Sequence, residues 1–165
     1  MKRQLHALFL FGLLAGADVA HADAPSPELI RDTVFAHREE AIALFREFLA
    51  LPNDAVNAKD TEALVTWMEQ AFDARGFETR RIQTDGSPAL FLQRLQPGAT
   101  KTVLIYLQAD GQPVDPSAWD QDDPFTPVLK EQDEQGQWRP LPWDTLAERF
   151  DPQWRVFARS ASDSK

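Results

Sequence analysis

Five consecutive apolar residues, Val103-Leu104-Ile105-Tyr106-Leu107, constrain the chain more than any other stretch. Successive side chains of a strand point to opposite faces, so an unbroken apolar run leaves greasy surface in water unless both faces are covered. The run therefore predicts a central strand in a sheet that helices cover. Two amphipathic segments upstream can supply the cover. Ser26-Pro27-Glu28 combines an N-cap hydroxyl, a proline at the first helical position and an early acid, and Ile30, Val34, Ala41, Phe45 and Phe48 then share one face. One long helix is predicted from Pro27 to about Ala50, closed before Pro52. Leu51 to Asn57 reads as a loop carrying Pro52, Asn53 and Asp54. A second helix starts near Asp60, with Leu64, Trp67, Met68, Ala71 and Phe72 as its stripe, and Gly76 stops it.

After Gly76 the period changes from helical to alternating. Phe77 to Ile82 and Ala89 to Leu95 read as strands about the Asp85-Gly86-Ser87-Pro88 turn, and Val103 to Leu107 as the third. Asp133-Glu134-Gln135-Gly136 marks a hairpin, and Val156-Phe157-Ala158 is a short apolar strand whose place in the sheet is left open. The fold class is α/β, with two N-terminal helices packed on a mixed sheet. Trp119, Trp138, Trp143 and Trp154 are expected to pack the irregular stretch onto that sheet.

Composition narrows the function. The chain has 165 residues, 26 acidic against 17 basic side chains and no cysteine. No nucleic-acid partner is expected, because duplex affinity rests on clustered Lys and Arg. Disulfide staples, thiolate zinc sites and thiol nucleophiles are excluded. Residues 1–22 read as a signal peptide: Lys2 and Arg3 precede an apolar stretch from Ala7 to Gly16, and Ala20-His21-Ala22 has the small-x-small form of a cleavage site. That stretch is far short of the ~20 residues needed to span a bilayer. The expected product, residues 23–165, is exported to the periplasm with no stable membrane anchor. Of three histidines only His37 lies in it, among Arg38, Glu39 and Glu40, where an ordinary helix-surface position is expected. The loop acids Asp115, Asp120, Asp122 and Asp123 lack the spacing of a calcium loop and read as solvated turn residues.

The strongest chemical feature is the end of the predicted central strand. Gln108-Ala109-Asp110-Gly111-Gln112-Pro113 sets two oxygen-bearing side chains two residues apart at a carboxyl edge, where sites are built in α/β sheets. Alternation would send Gln108 and Asp110 to one side, and Asp163 could approach them if the Val156 strand lies alongside.

Three segments also carry a resemblance. Leu107 to Pro113 follows the pattern Gly-His-x-Asp-x-x-Pro. Trp119 with Asp123-Pro124-Phe125-Thr126-Pro127 follows it downstream, and Arg159-Ser160-Ala161-Ser162-Asp163-Ser164-Lys165 is similar to Arg-Gly-x-x-Asp-x-Lys-Gly. From Glu28 to Lys165 the chain resembles the N-terminal part of the co-catalytic di-zinc metallopeptidases related to aminoacylase, carnosinase, succinyl-diaminopimelate desuccinylase and glutamate carboxypeptidase. The resemblance implies the partial catalytic domain of a zinc-peptidase-like α/β/α sandwich, incomplete at the C-terminus. It implies hydrolysis of a peptide or N-acyl amino-acid amide by water activated between two divalent ions, zinc in the family, about 3.5–4 Å apart. Asp163 maps to the bridging carboxylate, and Asp110 to the aspartate that orients a ligand histidine. Gln108 stands where that histidine would be. A neutral amide oxygen is the poorer zinc ligand, so one subsite is expected to be weakened and its preference to move toward harder cations. The family's general-base glutamate and further ligands follow the bridging aspartate, so this chain is expected to be inactive by itself. The alternative is a non-catalytic binding or interaction module on the same α/β core, which Gln108 favours.

Overall fold

The computed structural model describes residues 24–163; the predicted signal peptide, 1–22, lies outside the described residues. The chain is mixed α/β, with four helices and two small antiparallel sheets among the described residues. It divides into two compact units at Phe35 and Ala36. The first contains nearly all of α1 (Pro27–Ala36), opened as predicted by Ser26, whose hydroxyl accepts from Leu29 N at 3.2 Å. α1 buries none of its residues.

The predicted single helix is in fact two. His37 leaves helical geometry at φ −101° and ψ 5°, and α2 (Arg38–Leu49) begins after it. Neither proline nor glycine marks this break, so helical periodicity runs straight through it. α3 (Ala58–Asp73) starts two residues before the predicted position because Asn57 caps it, its side chain accepting from Lys59 N at 3.0 Å. Gly76, at φ 76°, closes the segment as predicted.

β1 (Glu78–Ile82) and β2 (Ala89–Gln93) form an antiparallel pair, with Arg80 opposite Phe91. The pair is fastened to α3 by Arg81, which donates to Glu69 through Nε at 2.7 Å and Nη2 at 2.6 Å, and to Glu62 at 2.6 Å. β3 (Val128–Gln132) is the middle of the second sheet, flanked by β4 (Trp138–Leu141) and β5 (Arg155–Phe157) in the order β4-β3-β5. The predicted hairpin joins β3 to β4: Asp133 N donates to Gln137 O at 2.9 Å, and Gly136 takes φ 75°. The core of this sheet is Leu129, Leu146 of the short helix α4 (Thr145–Glu148) and Trp154, with Ile42 of α2 and Trp143 packed against them. Trp154 and Trp143 thus do the packing expected of them. Trp138 also meets Phe157 edge to face at 5.1 Å.

The expectation of a central strand is corrected, and the place of the Val156 strand, left open by the sequence, is decided. Val103–Leu107 forms no strand and is not buried on both faces; these side chains are 73–88% exposed. A strand exists only where a neighbour exchanges hydrogen bonds with it, and no described strand lies beside this run. β5 correspondingly pairs with β3, with Val156 opposite Leu129, and not with the apolar run. No described helix is long and apolar enough to cross a membrane.

The Arg81 clamp has a pH signature. The hydrogen bond from Arg81 holds the Glu69 carboxyl below its ordinary value of 4.5. A depressed carboxylate contributes stability above its unfolded pKa and loses it as pH falls through the folded one. Urea titrations from neutral pH down through 4.5 and below are expected to show falling stability, with a shallower fall in Glu69→Gln. Asp133 is also held low, chiefly by the Gln137 N–H, so the difference between the two proteins isolates the clamp. Equal slopes would show that the Glu69 carboxylate does not contribute to stability through Arg81.

Candidate functional site

The two candidate segments, 108–113 and 159–163, are brought together by a residue that sequence reasoning left in a loop. Asn53 is 2% exposed. Its Nδ2 donates to Ala109 O at 2.9 Å and to Ser160 Oγ at 3.0 Å, and the Ser160 hydroxyl lies 3.3 Å from Oδ1. Its carbonyl accepts from Gly111 N at 2.6 Å, while Gly111 O accepts from Ala55 N at 2.9 Å, a parallel bridge beside Asp54. One side chain thereby ties the end of the apolar run to the loop after β5. Arg159 adds a second tie, donating to Gln112 O at 3.0 Å and to Ser160 Oγ at 3.2 Å.

Backbone shape makes this closeness possible. A Cβ on Gly111 would stand 2.8 Å from Asn53 Nδ2 and 2.9 Å from Oδ1, so only glycine fits. Ser160 takes φ 67°, a left-handed conformation that favours glycine, and is 5% exposed. Its hydroxyl gains the Asn53 contacts that offset this strain.

Beside the clasp runs an apolar groove of about 700 Å3. α2 contributes Phe45 and Phe48, α3 contributes Trp67, Met68 and Phe72, and the opposite side is made by Tyr106–Ala109, Ser162 and Asp163. Phe48 and Trp67 stack with ring centroids 5.0 Å apart. Arg75 also lines the groove, steadied by its bond to Ala71 O at 2.8 Å and its ion pair with Glu40 at 3.4 Å. Two of the predicted site residues, Gln108 and Asp163, therefore share one cavity. The third, Asp110, is exposed and is not among the groove-lining residues. Alternation paired Asp110 with Gln108 only on the premise of a strand, and the segment is not one.

The other candidates do not line the groove. His37 is largely exposed, 3.6 Å from Glu40. Asp115 caps the 3-10 turn Pro116–Ala118, where the Ser117 hydroxyl and N–H hold its carboxyl below the usual range, and Asp123 accepts from Phe125 N and Thr126 Oγ1. Among the described residues no three His, Cys, Asp or Glu side chains gather at one point.

Comparison with known proteins finds no family model, no curated relative and no solved structure that matches this chain.

Asn53→Ala removes the donor to Ala109 O and leaves the buried Ser160 hydroxyl with Arg159 as its remaining partner, and is expected to cost roughly 1–3 kcal/mol. Gly111→Ala is expected to cost about 1–3 kcal/mol through overpacking against Asn53. Because the two residues touch, the double variant is expected to lose clearly less than the sum of the single losses. Strict additivity in urea unfolding would mean that the clasp is not a unit.

Proposed function

We propose that the chain is the N-terminal part of an exported metal-dependent peptidase or amidohydrolase, whose groove receives a peptide or N-acyl amino acid. The observation that carries this reading is the Asn53 clasp. It joins the two segments that resemble the metallopeptidase pattern, and it sets Ser160 in a left-handed conformation at the position where that pattern has glycine.

The groove's chemistry suits an amide that is apolar at one end and anionic at the other. An acyl chain would lie along Phe45, Phe48, Trp67 and Phe72, where burial contributes about 25 cal/mol per Å2 of apolar surface. The Arg75 guanidinium would receive the carboxylate, and the Gln108 amide can donate to, or accept from, the substrate amide. The metal chemistry implied by the resemblance is less well served. Zinc is held by three or four nitrogen, sulfur or oxygen donors, whereas Gln108 and Asp163 offer one carboxamide and one carboxylate. These residues do not fit a two-ion centre by themselves. Further ligands from additional polypeptide would be required.

Binding without hydrolysis is the second reading. It is favoured by the absence of imidazole at position 108 and by the apolar walls of the groove.

An N-acyl amino acid such as N-octanoyl-glycine is expected to change the fluorescence of Trp67, an effect absent in Trp67→Phe. Arg75→Gln is expected to weaken binding by roughly tenfold, the loss of one charge-assisted contact. No saturable change, or equal affinity in Arg75→Gln, would overturn the substrate assignment. With added zinc, manganese or cobalt the isolated chain is expected to show no turnover of dipeptides or acyl amino acids. Zinc calorimetry separates the two readings: a tighter complex in Gln108→His that Asp163→Asn abolishes supports the hydrolase-type site, and unchanged binding in both favours the binding module.

A further inference from the structure

One side chain in the apolar wall of the groove is chemically unlike its neighbours. Phe45, Phe48, Trp67 and Phe72 bring rings to that wall, and Met68 of α3 places a thioether among them. The chain has no cysteine and two methionines, Met1 and Met68, so Met68 carries the only sulfur among the described residues. Its position is an open one. α3 buries Leu64 and Val65 in the core at 4% and 3% exposure, whereas Met68, one turn further on, is half-buried and lines the groove.

Sulfur is the side-chain atom that peroxides oxidise first. A thioether inside a closed core is shielded from them, and one on the wall of a groove is reached by any oxidant small enough to enter. With no thiol in the chain, no faster-reacting side chain competes with Met68. We infer that Met68 is a redox-modification site, at which a peroxide converts the thioether to the sulfoxide and thereby lowers the groove's affinity for apolar ligands.

In this step the sulfur lone pair attacks one peroxide oxygen, and the S–O bond forms as the O–O bond breaks. The hydroxide set free takes the remaining proton and leaves as water. Sulfur loses an electron pair, and the peroxide gains it. The product is polar where the thioether was apolar. Its oxygen is an acceptor to which the phenyl rings of Phe45, Phe48 and Phe72 offer no N–H or O–H, so it holds water in the groove. An apolar ligand must strip that water before it can seat. The modification adds one atom and no charge at a groove wall, so the fold is expected to survive it. It is also reversible: methionine sulfoxide reductases restore the thioether, oxidising a dithiol to a disulfide and releasing the oxygen as water. The inference rests on the groove being the ligand site, which both readings above share, and not on hydrolysis.

The test treats the full 165-residue chain with hydrogen peroxide and locates the added oxygen by peptide mass mapping. Binding is then read with N-octanoyl-glycine and with the apolar dye anilinonaphthalene sulfonate. Met68 is expected to gain one oxygen with the circular dichroism unchanged, and the oxidised protein to bind both probes roughly tenfold more weakly. Sulfoxide reductases A and B together, one for each sulfoxide epimer, are expected to restore binding. Met68→Leu, a change of similar volume, is expected to keep its affinity through the same treatment. Met68 left unreacted by peroxide that oxidises free methionine would overturn the inference. So would unchanged affinity after oxidation, an equal loss in Met68→Leu, or no recovery once the sulfoxide is reduced. Reduced protein that binds the dye but not N-octanoyl-glycine would sink the substrate assignment alone, because the dye still reads the effect of oxidising Met68. Reduced protein that binds neither probe would remove the groove as a ligand site, and this inference with it.

Discussion

Burial of a single carboxamide organises the part of this molecule most relevant to function. Asn53 sits where the segment before α3, the end of the apolar run and the loop after β5 would otherwise leave polar groups unsatisfied in a dry environment, at a cost of about 1–3 kcal/mol each. An amide is well suited to this place because it donates and accepts from one planar head. It reaches residues 56 and 107 positions away in sequence, so it substitutes for the sheet hydrogen bonds that would usually hold such segments together. Gly111 and Ser160 follow from it. One gives room for the amide, and the other accepts a left-handed backbone in exchange for hydrogen bonds.

Around this clasp the apolar side chains do not form one continuous core. Leu129, Leu146 and Trp154 close one cluster under the three-stranded sheet, with Ile42 bringing α2 against it. The aromatic side chains of α2 and α3 that point elsewhere line a groove, and the apolar run beside it lies open to water. The hydrophobic effect that closes the first cluster makes the groove, in the proposed reading, a place for an acyl chain.

Much of the local structure was legible because its causes are local. Ser26 caps α1, Gly76 ends the α3 segment, and Asp133 with Gly136 turns the β3–β4 hairpin, each by chemistry contained within a few residues. The convergence of the 108–113 and 159–163 segments was also anticipated, though through the wrong contact. Adjacent strands were the route considered, and a buried asparagine was found. Asn53 carried no distinguishing signal, since an asparagine beside a proline reads as a turn residue. The break at His37 was equally silent, because helical periodicity continues through it.

The helix caps, turn positions, the acidic charge and the absence of thiol chemistry were properties of the sequence itself, because each depends on the identity of neighbouring residues or on composition alone. Which strands paired, which acid reached the groove and whether the apolar run was covered were decided only by tertiary structure. Hydrophobic patterning states that a surface needs burial but does not specify what will bury it. Val103–Leu107 reads as a central strand by pattern and lies exposed in the fold. Asp110 and Asp163, equally plausible as a pair by spacing, part company at the groove, because a side chain's direction follows from the hydrogen bonds its backbone makes with distant chain.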